Sequence, residues 1–467
     1  MLENILYTLP QSSLLVGILI LLFHALFTKT AQHSCFQITK ATILLSIMSA
    51  VLFYNKNFLP AYLDTSSFTT IAYVLNGGFA LVWLWLSSKW FINTKAQGSL
   101  KFCILVLLLL LTLSLVIKSI HLGVLFAVFA ILSFLQFLLF RLSRTNEELY
   151  HTAGRYGLIS IFFLILIGGA VFALSKENLS YIEAESFITE LSPFLKMVFT
   201  LSILCSIFFF LSVAPFHFWF TDVSSPLILP VATYFNLVPQ TALWSAFLKL
   251  HNTLFSSMSD NLKWVYFAFG VLSIVFGVVG ANASRFVRKI FASISLYQTG
   301  VLLLILSTFK ENITSYCFIY LEIYLFILLG VYICFYAFKI NGEYPSNLNL
   351  LKGVSSVRPY VSAAFLLQII MLIGFPPLSY FMVEFFALTE VAKSPLIVYT
   401  TLMGGLILLP VYLKIIEIVS FLKREQNFDR VDFSTYFCLL IHTLCLIILS
   451  LYPEILFFQT DILLNIR

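Results

Sequence analysis

The chain has 467 residues, of which 60% are hydrophobic, 17% aromatic and only 10% charged. A soluble domain carries about 25% charged residues, so a soluble enzyme, a disordered chain and a disulfide-stapled secreted fold are excluded. The net charge of +6 sits in short loops, where basic residues set membrane topology rather than recruit nucleic acid.

The apolar residues form long runs joined by short polar links, the pattern of spanning helices rather than of a membrane β-barrel. In chain order, spans are expected near 12–29, 38–54, 67–89, 102–119, 121–142, 152–175, 192–219, 227–249, 262–281, 286–308, 313–338, 359–391, 395–422 and 433–458. The expected fold is an all-α polytopic membrane protein with about fourteen transmembrane helices. Residues 102–142 read as a tight hairpin turned around Lys118, Ser119 and His121. The stretch 359–391 is too long for one straight helix and is interrupted at Pro376 and Pro377. The opening segment MLENILYTLP has an acid and no basic stretch, so the first apolar run reads as a retained helix.

Alternate loops carry unequal charge. One set holds seventeen Lys and Arg residues, including Arg285, Arg288 and Lys289; the other holds nine, including Lys118 and Lys249. Basic residues resist translocation, so the first set is expected on the inner side and both termini on the outer side. The seven cysteines form no CxxC pair and read as small apolar packing residues. Nucleotide-binding glycine loops and metal-ligand spacings are missing.

Three places set proline beside a polar residue inside an apolar run. They are Ala214-Pro215-Phe216-His217, the segment from Pro226 through Pro230 to Pro239-Gln240, and Gly374-Phe375-Pro376-Pro377. Proline removes a backbone donor and clashes with the preceding turn. In lipid, such breaks survive where they are buried in protein or line a cavity. Breaks in both halves of a chain point to inverted repeats with an ion path near the midplane. Few ionisable residues lie within the spans: Glu322, Glu384, Lys414 and Glu417, with His217 at a break. A charge at mid-bilayer costs about 2.5–3.5 kcal/mol, so it is expected to face the bundle interior and to have a function. Lys414 and Glu417 are three apart and share a helix face, so a pair between them is the competing role. Arg155 starts a span and can snorkel to the interface. His24 and His442 read as packed, hydrogen-bonded histidines.

These segments resemble a known family. PFHFWFTDV (Pro215 to Val223) followed by Pro230-Val231, SRFVRKIFASIS (Ser284 to Ser295), GFPPLSYFMVEFF (Gly374 to Phe386) and VYLK (Val411 to Lys414) are similar to signatures of the antiporter-like membrane subunits of respiratory complex I. Their order and spacing look most like the subunit-N branch of NADH–quinone oxidoreductase. The fold is shared with Mrp-type antiporter subunits and membrane-bound hydrogenases. The resemblance implies four segments: N-terminal helices over 1–100, a first inverted repeat over 101–254, a second over 255–422 and a C-terminal helix over 423–467. It also implies a line of buried acids, lysines and histidines that carries protons, driven by redox chemistry in a peripheral arm.

Residue by residue, the carry-over is incomplete. The family's glutamate in the fifth span falls at Ala130 and its sixth-span lysine at Arg155. Two further lysines fall at Phe210 and Gln240, and a histidine at Gln298. The lysine after Pro-Pro falls at Glu384 and a glycine before it at Tyr380; His217 is retained. The proton-path candidates are therefore His217, Glu322, Glu384, Lys414 and Arg155. The degenerate positions are Ala130, Phe210, Gln240 and Gln298, and the breaks are at Pro215, Pro230, Pro376 and Pro377.

The resemblance implies a membrane-arm subunit of a proton-pumping NADH–quinone oxidoreductase, with either a rerouted proton path or a structural role. The alternative is an Mrp-type cation/proton antiporter subunit, which would need a carboxylate–lysine pair in the first repeat. Neither a metal nor a cofactor is expected on this chain; NADH, FMN, iron–sulfur clusters and quinone are implied for other subunits. Expected partners are other membrane-arm subunits and lipids, not nucleic acid. The expected location is a bacterial plasma membrane or a mitochondrial inner membrane.

Overall fold

A computed structural model describes residues 8–27, 32–52, 64, 66–93, 99–142, 147–173, 180–310, 312–423 and 426–455. The expectation about the termini falls outside the described residues. These residues form seventeen α-helices: α1 (Leu9–Phe27), α2 (Gln32–Leu52), α3 (Ser67–Asn93), α4 (Ser99–Lys118), α5 (Leu122–Leu142), α6 (Glu147–Ala173), α7 (Tyr181–Glu190), α8 (Pro193–Phe210), α9 (Phe218–Ser224), α10 (Leu229–Asn252), α11 (Ser259–Ala283), α12 (Val287–Leu306), α13 (Ile313–Ala337), α14 (Pro359–Ile373), α15 (Ser379–Glu390), α16 (Pro395–Ser420) and α17 (Phe433–Leu451). Among the described residues there is no strand, only three isolated β-bridges.

Twelve helices are long and apolar enough to cross a membrane: α1–α6, α8, α11–α13, α16 and α17. The other two expected crossings take different forms. Residues 227–249 give α10, which is long but carries Asn236, Gln240, Thr241, Lys249 and His251. Residues 359–391 give α14 and α15, divided at the Pro-Pro pair. The proline segment from Pro226 to Pro239 differs from its expected break. Pro230 lies in the first turn of α10, where a missing N–H costs nothing, and the helix continues through Pro239.

Packing divides the chain into two units. The first runs up to Leu211 and includes Val238–Ser257, hence α1–α8 and the later part of α10. Its apolar core includes Phe36, Trp83, Phe91 and Phe102, with the rings of Phe91 and Phe102 4.0 Å apart. The link after α6 holds a helix that the span count misses. Ser180 caps α7 by accepting from Glu183 N–H at 3.3 Å, and its hydroxyl donates to the Glu183 carboxylate at 2.5 Å. This Ser-x-x-Glu arrangement satisfies an otherwise free first-turn donor.

The second unit comprises Ser212–Leu237 and the described residues from Met258 onward. Helices α12 and α13 are buried along nearly their whole length, as befits helices apolar on every side. Glycines bring α11 against α12. A Cβ on Gly277 would lie 2.6 Å from the Tyr297 nitrogen, and one on Gly300 would lie 2.7 Å from the Gly270 oxygen. Such small-residue contacts let membrane helices approach closely.

Two interruptions shape this unit. Before it, α8 ends at Phe210; Ser212 then adopts a φ of 60°, and a cis Ala214–Pro215 bond leads to α9. The freed Ala214 N–H donates to Ser273 Oγ at 3.0 Å. At the second, α14 ends in the left-handed residue Gly374, with a φ of 78°. Glycine adopts this conformation without steric cost. The Ser379 N–H at the start of α15 donates to Ser450 Oγ at 3.1 Å. Both interruptions thus find side-chain partners for backbone groups that lipid would leave unsatisfied.

Candidate functional site

The second unit holds a buried network of glutamine and tyrosine side chains. Gln298 on α12 lies fully within the core. Its Oε1 accepts from the Tyr320 hydroxyl of α13 and from the Tyr380 hydroxyl of α15, the latter at 3.0 Å. The two tyrosine oxygens are themselves 2.7 Å apart. Three contacts therefore share two hydroxyl protons, and only two of the three can be hydrogen bonds at once. The triangle has more than one proton arrangement at the same heavy-atom geometry. Gln298 and Tyr380 are two of the positions where the sequence departs from the family resemblance. The fold brings these departures together.

Glu384 lies one turn past Tyr380 on α15. It is half-buried, and its Oε2 lies 3.3 Å from where a Cβ on Gly374 would stand. Glu322 is buried on α13, and both its carboxylate oxygens lack a hydrogen-bond partner. A buried carboxylate without protein partners is costly, and at membrane depth it is by default functional. A second chain of polar groups joins α13, α12 and α10. Tyr324 Oη lies 2.7 Å from Ser295 Oγ, which donates to Asn236 Oδ1 at 3.3 Å.

The remaining candidates of this unit lie elsewhere. His217 is half-buried at the start of α9, its ring 4.9 Å from that of Phe276 and its Nδ1 unpartnered. The neighbouring ion pair joins Lys289 Nζ to Asp222 at 2.9 Å. Lys414 is exposed on α16, not turned into the bundle, and the ion pairs of the described residues include none between it and Glu417. His442 is buried on α17, with Nε2 2.8 Å from the Phe326 carbonyl.

In the first unit the degenerate positions are packed with rings. Phe210 lies 4.6 Å from Phe129 and 5.3 Å from Phe209, which stacks on Phe163 at 4.6 Å. Ala130 adjoins this slab in sequence and offers only a methyl group. Gln240 is buried on α10. Arg155 is exposed on α6, next to Tyr156, whose buried hydroxyl donates to Gln136 at 2.5 Å.

The same unit contains a charged cluster that the loop-charge reading passed over. Lys249 on α10 pairs with Asp64 at 3.4 Å and donates to the Ser119 carbonyl at 2.8 Å. Lys118, the last residue of α4, is buried with its ammonium 5.4 Å from the Tyr73 ring centre. The Asp64 N–H donates to the Lys118 carbonyl at 2.7 Å. Ser119 Oγ lies 3.0 Å from the Tyr181 hydroxyl of α7, and burial raises that phenol's pKa above its ordinary value. The signal for these lysines was their setting: Lys118 is the last residue of α4 and Lys249 lies in the last turn of α10, each at the end of a long helix.

Broken helices, a buried carboxylate without partners and buried polar contacts between helices define a membrane bundle with ionisable groups in its interior. Residues 119–409 match the family described as NADH:quinone oxidoreductase/Mrp antiporter, TM. The chain belongs to that family. It is 24% identical over 442 residues to the NADH-quinone oxidoreductase subunit N of Pelagibacter ubique, covering 91% of this chain and 92% of that one. Its fold is similar to a chain of respiratory complex I from Thermus thermophilus, with a TM-score of 0.79, 20% identity and coverage of 95% of this chain and 97% of that one. It is also similar to a chain of the Mrp complex from a Dietzia species, with a TM-score of 0.82, 16% identity and coverage of 99% and 97%.

Proposed function

We propose that this chain is the subunit-N-type membrane subunit of a proton-translocating NADH–quinone oxidoreductase in an energy-transducing inner membrane. The observation that carries this reading is the nearly full-length likeness to a subunit N. The two folds compared do not discriminate, because the Mrp chain is as similar in shape as the complex I chain. Its partners are the other membrane-arm subunits, and NADH, FMN, iron–sulfur clusters and quinone belong to other chains of the complex. The inverted repeats are assigned to 101–254 and 255–422.

Within that role, proton transfer runs through the second unit. Glu322 and Glu384 bind and release the proton, and the Gln298–Tyr320–Tyr380 triangle passes it between hydroxyl groups. The unpartnered carboxylate of Glu322 and the shared protons of the triangle support this assignment. Glu384→Gln in the assembled complex is expected to lower the ratio of protons pumped to electrons transferred, with assembly unchanged on blue-native gels. An unchanged ratio in a fully assembled complex would leave the chain a structural role.

One observation bears on an antiporter subunit instead: Asp64 and Lys249 form a carboxylate–lysine pair in the first unit, with Asp64 before the first repeat. The pair lies beside the last residues of α4 and α10 rather than at mid-helix, which suits a staple between helix ends better than a midplane carrier. Co-migration with oxidoreductase subunits supports the first reading, and co-migration with antiporter subunits alone supports the second.

A further inference from the structure

Lys414 presents a physical problem. It stands on α16 among lipid-length apolar residues, yet it is exposed, and its neighbour Leu413 is exposed too. A lysine directed at hydrocarbon is unfavourable unless it reaches polar headgroups or a counter-ion. Six residues separate it from the end of α16 at Ser420, about 9 Å along a helix. From such a position a long lysine side chain can snorkel to polar headgroups.

There it lines a cavity of about 260 Å³ with Ser284, Arg285, Asn347, Leu348 and Asn349. Two cations and two amides converge, and no carboxylate lines the space. The wall is held rigidly. Val287 N–H donates to the Ser346 carbonyl and Leu348 N–H to the Arg285 carbonyl, both at 3.0 Å, closing the bridge between Phe286 and Asn347. Asn347 Oδ1 accepts from the Asn349 N–H at 3.1 Å, which leaves its amide N–H groups to act as donors. The exposed apolar side chains of Phe286, Ile407 and Leu413 lie on the same elements.

We propose that this cavity binds the phosphate group of an anionic phospholipid, with Lys414 and Arg285 as the charged contacts and the acyl chains lying along α16. Guanidinium and ammonium groups both match phosphate oxygens. A free phosphate offers the same oxygens but nothing for the apolar flank. The site is independent of whether the subunit pumps.

The test uses the whole complex in nanodiscs of phosphatidylcholine containing phosphatidylglycerol. Native mass spectrometry is expected to find phosphatidylglycerol retained by the wild-type complex. The Lys414→Gln/Arg285→Gln variant should retain it about tenfold more weakly or worse, because two charge-assisted contacts are lost. Lys414→Arg should retain it. Added inorganic phosphate should not displace it. Equal retention by the double variant, or displacement by inorganic phosphate, would overturn the proposal. Should the double variant fail to assemble, a photoreactive phosphatidylglycerol on the wild-type complex decides. Labelling of residues 284–289 or 347–349 supports the site, and labelling elsewhere alone overturns it.

Discussion

The two units meet the same requirement, burying helices in a membrane, by opposite means. In the first, the positions where the family resemblance expects a carboxylate and a lysine are Ala130 and Phe210, and the space around Phe210 is filled by Phe129, Phe209 and Phe163. Such a slab leaves no partner for water. In the second, the departures are polar: Gln298 and Tyr380 meet Tyr320 in a triangle, with Glu384 one turn away and Glu322 unpartnered on α13. Loss of the expected lysines therefore does not mean the same thing in both units. One fills the expected positions with packed rings, and the other fills them with hydrogen-bonded polar side chains.

The largest predicted effect would break this contrast. Phe210→Lys, which restores the residue type implied by the resemblance, places an unpaired ammonium inside the aromatic slab. A cost of about 3–5 kcal/mol is expected, read as loss of assembled complex on blue-native gels. Gln298→His, the corresponding change in the polar unit, should leave assembly intact. A smaller effect belongs to the charged cluster of the first unit. Lys249→Met removes the partner of Asp64 and a donor to the Ser119 carbonyl. It should lower stability by about 1–3 kcal/mol, measured as a reduced thermal midpoint of the complex, without changing the proton-to-electron ratio. Tyr380→Phe should affect stability least, by under about 1 kcal/mol, because Tyr320 can still donate to Gln298. Its consequence should be functional: a lower proton-to-electron ratio at normal assembly.

Much of the bundle was legible in the sequence because apolar run length maps directly onto membrane thickness. The break at Pro376-Pro377 followed from backbone chemistry alone. Pro230 was misread because proline both opens and breaks helices, and only the neighbouring turn distinguishes the two. Helix α7 was missed although Ser180 and Glu183 carry its capping signal, because the span ruler passes over short helices. The orientation of Lys414 was not legible, since a charge within an apolar run indicates depth but not which face of the helix it occupies. Lys118 and Lys249 were counted as loop charges for the complementary reason: the groups that receive them, Tyr73 and Asp64, are distant in sequence. The encounter of Gln298 with Tyr380 likewise needs the fold, as each taken alone is only a departure from a motif.

The contrast between the aromatic slab of the first unit and the polar triangle of the second is tested most directly by hydroxyl-radical footprinting of the assembled complex in its native membrane. Radicals form from water, so buried residues are labelled only where water reaches them. Labelling of Tyr320 and Tyr380 together with protection of Phe209 and Phe210 is the predicted result. Equal labelling of both pairs, or protection of both, would contradict the account.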